Sequence, residues 1–175
     1  MLEDNFLGNL IRRGIPELIV LSAAVIFAVW LYGKISCRVY GGIDSRVVLL
    51  TSGTMLVGPF LIVNGIFKTF WGRARPRDID LFGGSKAFSL PLEISNQCAW
   101  DCSFMSGHTA VAFWLLAPAL LAPEKFRPFA VAAALLFGVT TAVFRIGQGA
   151  HFFSDVAFSA LVMSLLIVAV YRRLF

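Results

Sequence analysis

Charge is scarce in this chain. Only 14% of its 175 residues are Asp, Glu, Lys or Arg, 58% are hydrophobic, and the mean hydropathy is +0.81. A soluble globular domain carries about a quarter charged residues, so the deficit excludes an ordinary soluble fold. Most side chains must face lipid or pack against one another inside a membrane. Histidine is scarcer still, with only His108 and His151. With no carboxylate cluster beside them, a resident metal centre is not expected, and no organic cofactor is implied either. Three cysteines, Cys37, Cys98 and Cys102, are too few for a disulfide framework and lack zinc-site spacing. There is no internal repeat and no low-complexity tract, which excludes a solenoid or a linker-joined array. One integral-membrane domain over 1–175 is the expectation. The net charge of +5 does not indicate nucleic acid, because the basic residues fall in short turns between apolar runs. Membrane lipids with anionic headgroups, or a phosphate-bearing substrate, suit them better.

Five stretches without charge are present, at 18–33, 47–67, 109–122, 129–144 and 156–171. In lipid, backbone polar groups must be satisfied within the segment, so runs of this kind are helices. The expected fold is therefore all-α, a polytopic transmembrane helix bundle of about five spans. A span needs about 20 residues. The stretch 109–122 is short unless it gains a turn from 106–108 or lies partly inside the bundle. Ahead of the first span, Leu2, Phe6, Leu7, Leu10 and Ile11 share one helical face. Segment 1–13 thus reads either as an interfacial amphipathic helix or as a frayed polar terminus.

Span counting places 1–17, 68–108 and 145–155 on the side of the N-terminus. The other side holds seven Lys and Arg in 23 residues, whereas the N-terminal side holds eight in 69. The positive-inside rule puts the dense side in the cytoplasm. The long 68–108 segment then faces the periplasm or exterior.

Both histidines lie on that outer side, at the ends of spans, as do Lys68, Arg75, Arg145 and Asp155. The basic run Lys68, Arg73, Arg75, Arg77 reads as a snorkelling anchor or as an anion site. It stands where the positive-inside rule disfavours cations, which favours the anion. Ser106 is a good N-cap and Gly107 permits close backbone approach, so this turn reads either as a plain helix start or as an anion site on its free amides. His151 and Asp155 are four apart and share a helical face. A carboxylate so placed can fix the imidazole tautomer, although a self-satisfied interfacial pair has the same spacing.

Taken in order, these stretches resemble the signature of the type 2 phosphatidic acid phosphatase superfamily. The matching positions are Lys68, Arg75 and Pro76; Ser106, Gly107 and His108; and Arg145, His151 and Asp155. Gly72 and Arg73 also look like the family. Two positions depart from it. Met105 stands where members commonly have Pro, and Phe144 where they have Ser. Members usually have six spans, and the N-terminal helix can stand in for the sixth. The resemblance implies a metal-independent enzyme in which His151 attacks phosphorus and Asp155 orients it. His108 would protonate the leaving oxygen and then activate water. Lys68, Arg75, Arg145, the Ser106 hydroxyl and the Gly107 amide would hold the phosphoryl oxygens.

A site at the membrane surface implies a lipid phosphate as substrate. Candidates are phosphatidic acid, phosphatidylglycerol phosphate, undecaprenyl diphosphate and lipid A. The run from Cys102 through Ser103 and Phe104 to His108 is similar to bacterial lipid A phosphatases, which also implies a bacterial inner membrane. Cys98 and Cys102 read as a disulfide or as two thiols. A lipid phosphotransferase of the same family is the nearest rival. A transporter fits poorly, because the five stretches hold no Asp, Glu, Lys or Arg. The oligomeric state is not legible.

Overall fold

A computed structural model describes residues 14–175. The 1–13 segment, with its amphipathic reading, lies outside the described residues. Within them the chain is helical, with no strand and a single isolated bridge between Ile79 and Lys86.

Helix α1, Ile15–Ile35, has Pro at its first turn, where no backbone donor is needed, and Lys34 in its last. Leu18, Leu21, Val25, Phe27 and Leu31 stay exposed along it, as a lipid-facing helix requires. Helix α2, Ser45–Phe70, starts on Asp44, whose Oδ1 accepts the amides of Arg46 and Val47 at 2.9 Å each. Its middle is π-wound over Leu49–Gly53 and Leu56–Phe67. This wider coil accommodates Pro59, whose carbonyl accepts from Asn64 Nδ2 at 2.8 Å.

Helix α3, Gly107–Leu120, is the central element. It is about 21 Å long at 1.5 Å per residue, short of the roughly 30 Å hydrocarbon core. Ala110, Ala112, Trp114 and Ala117 are buried on it, and Trp114 Nε1 donates to the Thr51 carbonyl at 2.9 Å. Helices α4, Arg127–Gly147, and α5, Phe153–Leu174, pack against it. Among the described residues, the five expected spans thus become four helices long enough to cross a bilayer and one short helix enclosed by them. The short one gains its extra turn at Gly107 and His108 and also lies inside the bundle. Leu50, Val63, Met163 and Ile167 complete the core around it.

Between α2 and α3 the chain forms a long loop with short 3-10 turns at Pro76–Asp78 and Asp80–Phe82. A disulfide joins Cys98 to Cys102, and Cys37 is free and exposed. Past the disulfide, Phe104 is buried, stacked on Trp71 at 5.2 Å and edge-on to Phe67 and Phe158 at 5.4 Å each. This aromatic cluster pins the loop to the mouth of the bundle, immediately before α3 begins.

Candidate active site

His151 sits in the turn between α4 and α5. The chain reverses at Gly149, which has φ +62°, a backbone that glycine adopts without cost. The Gly149 carbonyl accepts the Arg77 amide at 3.1 Å, tying this turn to the loop after α2. The ring is buried, with 1% of its surface exposed. Its Nδ1 lies 2.7 Å from the Ser103 carbonyl oxygen. A carbonyl only accepts, so Nδ1 carries the proton and, in the neutral ring, Nε2 keeps its lone pair. Nε2 is buried and has no hydrogen-bond partner among the described residues.

Burial holds the imidazole pKa well below its usual value of about 6.5, and the charges of Arg145 and Lys68 push the same way. The hydrogen bond to Ser103 opposes them without prevailing. The ring is therefore neutral near pH 7, with Nε2 bare.

Asp155 does not make the direct contact to this ring. Its Oδ2 stands 3.9 Å from Nδ1, and the Ser103 carbonyl holds the shorter position. The carboxylate is fully buried and saturated by others. Oδ1 accepts from Arg73 Nη1 at 2.5 Å, while Oδ2 accepts from Ser103 Oγ at 2.5 Å and the Phe152 amide at 2.9 Å. Arg73 is itself buried, donating also to Ser154 Oγ at 2.9 Å and the Ser89 carbonyl at 3.0 Å. Its guanidinium lies 4.2 Å from the Phe152 ring centre, close enough for a cation–π contact. Asp155 thus braces both segments that hold His151, Ser103 on one side and Phe152 on the other.

The basic residues gather beside the imidazole. Lys68 ends α2, and Arg75 follows it in the loop; both are bridged by one carboxylate, that of Asp101. Arg145, near the end of α4, is buried and donates to Gln148 Oε1 at 2.6 Å. Its charge, with those of Lys68 and Arg75, acts on His151. Ser106 caps α3, its Oγ accepting the Thr109 amide at 3.3 Å and the Thr109 hydroxyl at 2.9 Å. The Ser106 amide meets the Asp155 carbonyl at 3.4 Å. At Gly107, a Cβ would lie 3.3 Å from Asn64 Oδ1 and 3.8 Å from Lys68 Cε, so α3 starts hard against the Lys68 end of α2. His108 follows in the first turn and is half-buried.

Two residues around His151 escape a reading of the motifs alone, and for a third the motifs give the residue and not its partner. Ser103 acts largely through its main chain, which leaves little trace in side-chain chemistry. Asp101 lies in a loop whose path no periodicity reveals. Arg73 carries a detectable signal, since a cation two residues before Arg75 matches the family, but its buried pairing with Asp155 spans 82 positions.

A helical membrane bundle that gathers a neutral buried imidazole and several cations at one mouth has the equipment of a phosphoryl-transfer enzyme. The PAP2 superfamily profile matches residues 46–175, and the chain belongs to that superfamily, as one of its phosphatases. The lipid A 4'-phosphatase of Francisella tularensis subsp. novicida (strain U112) is 33% identical over 173 residues, covering 98% of this chain and 77% of that protein. The lipid A 4'-phosphatase of Rhizobium leguminosarum is 43% identical over 105 residues, 59% of this chain and 45% of its own length. That of Rhizobium etli is 38% identical over 112 residues, 64% of this chain and 44% of its own. No solved structure matches the chain.

Proposed function

We propose that this chain removes the 4'-phosphate of lipid A through a phosphohistidine on His151, at the periplasmic face of a bacterial inner membrane. The observation that carries the mechanism is the buried His151 Nε2, deprotonated by the Ser103 contact on Nδ1 and set among Lys68, Arg75 and Arg145. Nε2 attacks phosphorus, forming the N–P bond as the P–O bond to the sugar breaks. His108 gives the leaving oxygen its proton. Water then attacks phosphorus, His108 takes its proton, the N–P bond breaks and inorganic phosphate departs. The three cations, with the Ser106 hydroxyl and the Gly107 amide, hold the charge on the phosphoryl oxygens throughout.

Lipid A as substrate is supported by the three relatives, all lipid A 4'-phosphatases. A cavity of about 500 Å³ beside His151, lined by Phe82, Phe152, Phe153, Ile146 and Arg77 among others, offers apolar room with one cation. Such a lining fits an amphipathic lipid phosphate. The periplasmic placement rests on the charge asymmetry of the loops.

The test is phosphate release in detergent with a chelator present. Lipid A, phosphatidylglycerol phosphate, phosphatidic acid and undecaprenyl diphosphate are offered to wild type and to His151→Ala. Lipid A turned over fastest, at the 4' position, and no release by the variant are expected. Preference for another lipid would replace the substrate, and an active variant would remove the histidine mechanism.

A further inference from the structure

The cations proposed to receive the phosphate already hold an anion. Lys68 Nζ donates to one carboxylate oxygen of Asp101. Arg75 Nη2 donates to the other at 2.5 Å and to the Asp101 carbonyl at 2.8 Å. One carboxylate therefore spans the two cations much as two oxygens of a phosphoryl group would. The carboxylate sits outermost, since its side chain is 53% exposed while those of Lys68 and Arg75 are each 14% exposed. Burial alone would raise its pKa, but the hydrogen bond and charge of Lys68, then those of Arg75, outweigh it and keep the group low and ionised.

The backbone positions this anion deliberately. Asp101 has φ +49°, the left-handed region that Asp and Asn tolerate better than most residues. It lies inside the short ring closed by Cys98 and Cys102, whose next residues, Ser103 and Phe104, are locked to His151 and the aromatic cluster. A small cavity of about 130 Å³, lined by Asn64, Lys68, Thr69, Trp100 and Asp101, leaves space beside the pair for the carboxylate to swing aside.

We propose that Asp101 is a displaceable internal anion that sets the specificity of the clamp, admitting phosphate monoesters and excluding the phosphodiesters of ordinary phospholipids. A phosphate monoester carries about 1.5 to 2 negative charges near pH 7, more than the carboxylate it must displace. A phosphodiester carries one and gains nothing over Asp101. An enzyme whose mouth opens among phosphodiester headgroups needs such a barrier, or its clamp would be occupied by bulk lipid. The inference rests on the reading that Lys68 and Arg75 bind the substrate phosphate.

The experiment measures binding by calorimetry on detergent-purified full chain, independently of turnover. The probes are inorganic phosphate and short-chain phosphatidylglycerol, a phosphodiester. The variants are Asp101→Asn, which is isosteric and suits the same backbone, and Asp101→Gly, which accepts that backbone freely. Both variants should bind the phosphodiester about tenfold or more tightly than wild type, the scale of one charge-assisted hydrogen bond, and phosphate more tightly as well. Unchanged or weaker binding in both variants overturns the proposal and makes Asp101 a positioning counter-ion for the two cations. Lys68→Ala separates the two levels. If it binds inorganic phosphate as wild type does, the clamp itself is misassigned; if it loses phosphate while the Asp101 variants gain nothing, only the gating role fails.

Discussion

Arg73→Ala is the sharpest probe of how His151 is held. The substitution removes the cation 2.5 Å from Asp155 Oδ1, in a pair whose side chains are 2% and 0% exposed. Breaking a buried ion pair from one side costs about 3–5 kcal/mol, because the surviving charge is left uncompensated. For a chain of this size that corresponds to a fall of roughly 6–20 °C in Tm, measured by thermal unfolding in detergent. Ser103 and Phe152, both bonded to the same carboxylate, lose their common brace, so His151 drifts. A drop in kcat of roughly tenfold to 100-fold is expected from a shift of an ångström or less, with KM changing little. Replacing both partners, Arg73→Met with Asp155→Asn, removes the buried charge and should regain most of the lost Tm without restoring kcat. A variant Arg73→Ala whose Tm and kcat both match wild type would refute the bracing role of Asp155.

Further outcomes follow from the same geometry. Ser103→Ala loses the hydroxyl bond to Asp155 but keeps the carbonyl on His151, so it should cost about 1–3 kcal/mol in thermal unfolding and leave the acid limb of the pH–rate profile in place; a displaced limb would show that the hydroxyl, not the carbonyl, sets the tautomer. Because the folded His151 pKa lies well below the ordinary value of about 6.5, with burial the main cause, the acid limb of kcat/KM assigned to this group should fall clearly under pH 6.5. The same shift bears on stability. Between the two pKa values the unfolded chain holds a proton that the folded ring refuses, so the contribution of His151 to stability is present above about pH 6.5 and is lost as the pH falls towards the folded value. Melting curves across that window should show Tm falling with acid, and a Tm that rises instead would contradict a buried neutral ring.

The helical bundle was legible in the sequence because lipid imposes a simple rule, and long apolar runs became helices α1, α2, α4 and α5 close to where hydropathy placed them. Helix α3 was legible in position and not in depth. Its composition is that of a span, but enclosure by its neighbours lets it end short. The convergence of Lys68, Arg75, Arg145 and His151 followed from counting which ends of spans share a side. The supports around them did not, because they depend on the path of the 71–106 loop. Ser103 offers a carbonyl that any residue carries, and Asp101 is one acidic residue among several. The spacing of His151 and Asp155 pointed to a direct pair, whereas the geometry interposes Ser103 and leaves the two 3.9 Å apart.

The most direct measurement is to trap the enzyme during turnover. Lipid A carrying radiolabelled phosphate at the 4' position is mixed with the purified chain, quenched in base, and the protein examined for label that is stable to base and lost in acid, the behaviour of a phosphohistidine. Label on His151 of the wild type, and none on His151→Ala, is the predicted result. Wild type that releases phosphate steadily with no such label, or a labelled and active His151→Ala, would contradict the assignment of His151 as the nucleophile.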